Sequence, residues 1–146
     1  MTEKLDLSAL TSAIASLEDG LDVVSDDKWF SHQSAKVQNT LIAGVIQNFE
    51  LVYEISIKML RRQIEAESDS PDEVDATSFR NMLRLAGEKG LIADVEAWFK
   101  YHHMHNITAH TYNQDKAKMV YAGTLIFIED ARNLLQKLEV RNAADA

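Results

Sequence analysis

The sequence contains no cysteine, which excludes disulfides, thiolate metal ligands and a cysteine nucleophile. One proline and five glycines among 146 residues are too few for the many tight turns of a β-sandwich or barrel. The sequence has no apolar run of about 18 residues, so no membrane span is predicted. Met1–Leu10 has no signal-peptide core. These absences predict a helical protein of the cytoplasm.

The chain is acidic, with 15 Lys and Arg against 23 Asp and Glu and a formal net charge of −8. Binding to duplex DNA or to a membrane surface requires a basic face, so neither partner is predicted. The charge is unevenly distributed, because six acidic residues lie between Glu65 and Asp75 whereas Lys100–Tyr112 contains none. The net charge therefore leaves room for a local site that binds a nucleotide or single-stranded RNA.

Apolar residues recur at intervals of three and four along most of the chain, which is the pattern of amphipathic helices. A first helix is predicted across 7–24 and a long second helix across 34–65. A short helix is predicted from Thr77 or Ser78 to Ala86, ended by Gly87 and Gly90. Further helices begin near Ile92 or Asp94, and near Asn113 or Asp115. The last helix runs to Leu138, with Met119, Val120, Leu125, Ile128, Leu134, Leu135 and Leu138 facing inward.

The predicted fold is all-α: an up-and-down four-helix bundle with one short extra helix. Residues 1–140 form a single domain in this prediction, and residues 141–146 form a flexible tail. Glu65–Ala76, which contains the proline and the acidic residues, is predicted to be a solvated loop.

Four of the five histidines lie between Tyr101 and Tyr112, and three interpretations of this segment are open. The first is a metal site, but no acidic residue lies between Lys100 and Asn113 and the spacing matches no zinc pattern, so no metal or other cofactor is predicted. The second is structural, with polar side chains at a helix kink or a homodimer interface. The third is a general acid/base site for phosphodiester chemistry.

Three stretches of the sequence resemble the nucleotidyltransferase substrate-binding proteins, a family of the HEPN superfamily. The resemblance covers about residues 35 to 125, and its third stretch is the most specific. The stretches are Ile46–Ile55 with Lys58–Leu60, then Phe79–Arg80 with Gly87–Ile92, then Trp98, His105–Tyr112, Ala117 and Tyr121.

The resemblance implies a homodimer whose third stretch lines a cleft, and a separately encoded minimal nucleotidyltransferase as partner. His105, Thr108 and His110 would then bind the nucleotide or substrate. His110 and Asn106, with His105, would be the catalytic residues of a metal-independent ribonuclease. Tyr112 would accept a nucleotide from the partner enzyme, which silences the toxin in paired systems.

His105 stands where the family pattern has arginine. Arginine is always charged and grips phosphate with a planar fork, whereas histidine with an unshifted pKa of about 6.5 is mostly neutral at pH 7. The loss of this contact in the transition state costs about 3 kcal/mol, or roughly a hundredfold in rate. The resemblance, together with this departure, therefore implies a non-catalytic or weakly catalytic binding subunit of a toxin–antitoxin-like pair. The alternative is an endoribonuclease toxin regulated through Tyr112.

Overall fold

Helices follow one another throughout the part of the chain that the computed structural model describes, residues 4–111 and 113–143. The all-α prediction is confirmed. The elements in chain order are α1 (Ser8–Ser25), α2 (Asp27–Phe30), α3 (Ala35–Ala66), α4 (Pro71–Ala76), α5 (Phe79–Glu88), α6 (Val95–Ile107), a 3₁₀ helix (Thr108–His110) and α7 (Gln114–Ala143).

The central element of the bundle is α3, which packs against α1 and α7 and also contacts α4, α5 and α6. Phe49 of α3 meets Phe127 of α7 edge to face, with ring centroids 4.9 Å apart. Trp98 and Tyr101 of α6 pack against the same Phe127 ring, also edge to face. Such aromatic contacts add stabilisation beyond the burial of apolar surface, so this cluster fixes α6 against the two longest helices.

Local capping sets the beginnings of three helices at the predicted positions. The Ser34 hydroxyl accepts the amide of Val37 at 3.3 Å, and Ser78 caps α5 in the same way. The Asp94 carboxylate accepts the amide of Ala97 at 3.1 Å. Each cap satisfies one backbone donor that the first turn of a helix leaves free.

The prediction that Glu65–Ala76 is a loop is wrong in its second half, which forms α4. Pro71 occupies the first turn, where its missing amide hydrogen costs nothing and its fixed φ suits a helix. Asp72 and Glu73 lie in the same turn and interact favourably with the positive end of the helix. Val74 is buried, and its carbonyl accepts a hydrogen bond from Arg61 at 3.4 Å.

The last helix is longer than predicted, because α7 continues past Leu138 to Ala143. Arg141 contacts Glu67 at 2.8 Å and donates to the carbonyl of Lys89. Asn142 donates to the Gln63 side chain at 2.8 Å and accepts the amide of Leu5 at 2.9 Å. These partners hold the final turn against α3, so residues 141–143 of the predicted tail belong to the bundle. Residues 144–146 lie outside the described part of the chain.

The inward face of α7 also differs from the prediction. Met119 and Leu125 are exposed, at 50% and 45%, because the buried positions of this helix follow a stripe through Val120, Thr124 and Phe127. Across the described residues, no helix combines the length and the hydropathy that crossing a membrane requires.

Candidate functional site

The residues predicted to form a site lie where α6 changes into the 3₁₀ helix. His105 and Asn106 occupy the last turn of α6, and Thr108 and His110 lie in the 3₁₀ helix. The Thr108 hydroxyl donates to the carbonyl of His105 at 2.8 Å. This bond caps the end of α6 and fixes the change of helix type between His105 and His110.

The predicted residues face different surroundings. Asn106 and His110 are exposed, whereas His105 and Thr108 are partly buried against the bundle. The structure therefore brings His105 and Thr108 together and leaves the Asn106 and His110 side chains at the surface. Tyr112, the predicted modification site, lies outside the described residues.

Glu50 of α3 is the acidic neighbour of this site. Its Oε1 lies 3.2 Å from the Thr108 hydroxyl and 3.8 Å from Nδ1 of His105. Among the described residues, Nδ1 of His105 is buried and has no hydrogen-bond partner. The imidazole of His105 thus points one nitrogen at a carboxylate, at a distance too long for a hydrogen bond.

Aromatic rings hold His102 and His105 of α6 against α3 and α5. The Tyr53 ring stacks on His105 with centroids 4.9 Å apart, and its hydroxyl lies 2.8 Å from Nδ1 of His102. His102 in turn stacks on Phe79 at 4.2 Å. Burial raises the pKa of Tyr53, so its hydroxyl stays protonated at neutral pH. Burial, and then the charges of His105 and His103, lower the pKa of His102.

Sequence reasoning missed two residues of this site, Glu50 and Glu54. With His105 they place three potential metal-ligand atoms within 4.8 Å of one another. The acidic partners come from α3, whereas the prediction considered only acidic residues within the histidine segment itself. A signal was present, because two glutamates four residues apart share one face of a helix.

An apolar groove of about 440 Å³ lies on another side of α6, between α6 and α7. Phe99, Met104 and Met119 line it, and His103 stands at its edge. None of the described candidate residues, from His105 to His110, borders this groove, so it is separate from the polar site.

Comparisons with known proteins agree on one family. The family model described as "Nucleotidyltransferase substrate binding protein like" matches residues 5–140. A Haemophilus influenzae protein named probable ribonuclease HepT is 46% identical over 145 residues, which cover 99% of both chains. A solved Haemophilus influenzae structure, reported to reveal the fold of a substrate-binding domain of a nucleotidyltransferase, is 44% identical with a TM-score of 0.90. The match covers 92% of this chain and 99% of the chain in the solved structure.

Proposed function

The chain belongs to the nucleotidyltransferase substrate-binding-protein-like family, and from this membership we propose that it is the helical partner subunit of a separately encoded minimal nucleotidyltransferase. In this proposal the subunit is a homodimer in the cytoplasm. It binds a nucleotide or another substrate within a two-component toxin–antitoxin-like system, and it is non-catalytic or weakly catalytic.

The observation that carries the proposal is the extent of the family match, residues 5–140. The match includes α1, α3, α5 and α6 entirely and most of α7. A role that depends on the whole bundle, such as docking to an enzyme, is therefore supported better than one that depends on an isolated motif.

His105, Thr108 and His110 are the residues proposed to contact the nucleotide or substrate. The surroundings of His105 argue against its taking the catalytic role of an arginine. Its Nδ1 is buried and directed at Glu50, so this nitrogen is turned away from a phosphate in solvent. An arginine would instead present two parallel donors with a permanent charge.

Coexpression tests the partner role. A tagged copy of the full chain is coexpressed with the minimal nucleotidyltransferase of the same genome and purified on the tag. We expect the two proteins to co-elute in gel filtration, whereas a nucleotidyltransferase of an unrelated system does not. If the tagged chain elutes alone at micromolar concentrations of both proteins, the partner role is wrong.

A ribonuclease is the second candidate, favoured by the 46% identity to a protein named probable ribonuclease HepT. In this version His110 acts as acid/base at the RNA 2′-hydroxyl, Asn106 orients it and His105 takes the place of arginine. The purified chain should then cleave single-stranded RNA in EDTA, and His110→Ala should abolish cleavage. Equal rates for the wild type and this variant would exclude the ribonuclease.

A further inference from the structure

Three side chains with metal-ligand chemistry converge between the middle of α3 and the end of α6. We propose that Glu50, Glu54 and His105 bind one divalent transition-metal ion of the Zn²⁺ class. This inference goes beyond the partner role proposed above and does not depend on it.

The distances suit a shared ion. The three ligand atoms lie within 4.8 Å of one another, and Nδ1 of His105 lies 3.8 Å from Oε1 of Glu50. Zinc bonds to nitrogen and oxygen are about 2.0–2.2 Å long, so two ligands of one ion lie roughly 3–4 Å apart. Glu50 and Glu54 are four residues apart on α3 and therefore project from the same face. A small rotation of the Glu54 side chain, which is exposed, completes the set.

The ligand atoms have few competing partners. Nδ1 of His105 is buried without a hydrogen bond among the described residues. Thr108 has a single hydroxyl proton, and its 2.8 Å bond to the His105 carbonyl competes with the 3.2 Å contact to Glu50. Across residues 4–111 and 113–143, no hydrogen bond or ion pair engages the Glu54 carboxylate.

Charge also favours a cation here. Two carboxylates four residues apart on a helix repel each other. A bound divalent ion would cancel both charges. The Tyr53 ring stacked on His105 restricts the orientation of the imidazole, which reduces the entropy lost when the ligand set forms.

The donor types indicate which ions fit. One imidazole nitrogen with two carboxylates suits Zn²⁺, Co²⁺ or Ni²⁺ better than Mg²⁺ or Ca²⁺, which prefer sites made only of oxygen ligands. Three protein ligands leave a coordination position for a water or for an anionic oxygen. The same ion would therefore convert an anionic patch into one that attracts phosphate.

The test uses the full-length chain after removal of metal with a chelator and exchange into chelator-free buffer. Calorimetric titration with Zn²⁺ should show one ion per chain, and Co²⁺ should give visible d–d absorption. Glu54→Gln and His105→Ala should each weaken Zn²⁺ binding at least tenfold and abolish the Co²⁺ bands.

His103→Ala is the matched control, because it removes an exposed histidine two residues from His105. It should keep the wild-type affinity, and thermal melts of the metal-free proteins should show that all three variants are folded. Absence of binding by the wild type would overturn the proposal. So would unchanged affinity in Glu54→Gln, or an equal loss in His103→Ala, which would indicate nonspecific binding to surface histidines.

Discussion

The Tyr53 hydroxyl and Nδ1 of His102 lie 2.8 Å apart and join α3 to α6 through a single hydrogen bond. Tyr53 is only 3% exposed, and its ring also stacks on His105. One buried side chain of α3 therefore positions two histidines of α6 that lie three residues apart.

Removing the Tyr53 hydroxyl should destabilise the bundle measurably. In Tyr53→Phe the ring contacts remain and the bond to His102 is lost, so we expect the free energy of unfolding to fall by about 1 kcal/mol. Urea denaturation measures this change. Tyr121→Phe is the control, because no described residue hydrogen-bonds to that partly buried hydroxyl. Equal effects of the two substitutions would contradict the structural role of the bond.

Protonation of Glu67 should contribute to the loss of folding stability in acid. Burial raises its pKa, but hydrogen bonds from Gln63 and Arg141 and the charges of Arg141 and Lys89 outweigh burial and lower it. The unfolded chain then takes up a proton at Glu67 at a higher pH than the folded protein does. Its contribution to stability is therefore present above about pH 4.5 and is lost as the pH falls through the lower folded pKa.

Urea unfolding at a series of pH values tests this linkage. Glu67→Gln should make the free energy of unfolding less dependent on pH below about pH 4.5 than in the wild type. Glu139→Gln removes an exposed glutamate that has no ion pair among the described residues, and it should leave the acid slope unchanged. If the two variants lose the same stability as the pH falls, Glu67 does not contribute to the pH dependence of unfolding.

Two glycines in helices should respond differently to alanine. A Cβ at Gly123 would lie 2.5 Å from the sulfur of Met104, so the end of that side chain must shift, which offsets part or all of the gain in helix propensity. A Cβ at Gly44 would meet nothing within 4 Å, and Gly44→Ala should stabilise α3 by about 0.5–1 kcal/mol. Chemical denaturation measures both variants, and a gain in Gly123→Ala as large as that in Gly44→Ala would contradict the close approach of Met104 to Gly123.

Tyr112 should gain a nucleotide if the proposed pairing includes modification. Incubation of the chain with its partner nucleotidyltransferase and ATP should add the mass of one AMP group, measured on the intact protein. Tyr112→Phe removes the acceptor hydroxyl and should keep its original mass under the same conditions. An unchanged wild-type mass would contradict the modification, whereas an adduct that persists in Tyr112→Phe would place the acceptor on another residue.

Features that depend on neighbours in sequence were predictable. The caps at Ser34, Ser78 and Asp94 each act on an amide three residues ahead, so the sequence alone located three helix beginnings. The burial of Val74 depends on packing against α3, and the acidic composition around it gave no sign of that. For this reason α4 was missed.

The candidate site also combines features set by neighbours in sequence with features set by packing between distant helices. The clustered histidines in the sequence single out the segment from His105 to His110 as a candidate, and the resemblance supplies proposed roles for its residues. The neighbours of His105 could not be predicted, because Glu50 and Tyr53 lie more than 50 residues earlier and approach it only through the packing of α3 against α6. That neighbourhood determines whether the imidazole faces an anion or a cation.

Asn142 of α7 links two segments that are far apart in sequence, because it accepts the amide of Leu5 and donates to the side chain of Gln63. The segment before α1, the middle helix α3 and the last helix α7 therefore meet at one side-chain amide. Gln63 lies nine residues beyond Glu54 on α3, or about 14 Å along the helix axis. The same helix therefore carries a structural contact and the carboxylates about two and a half turns apart, so a substitution at one position can be read without altering the other.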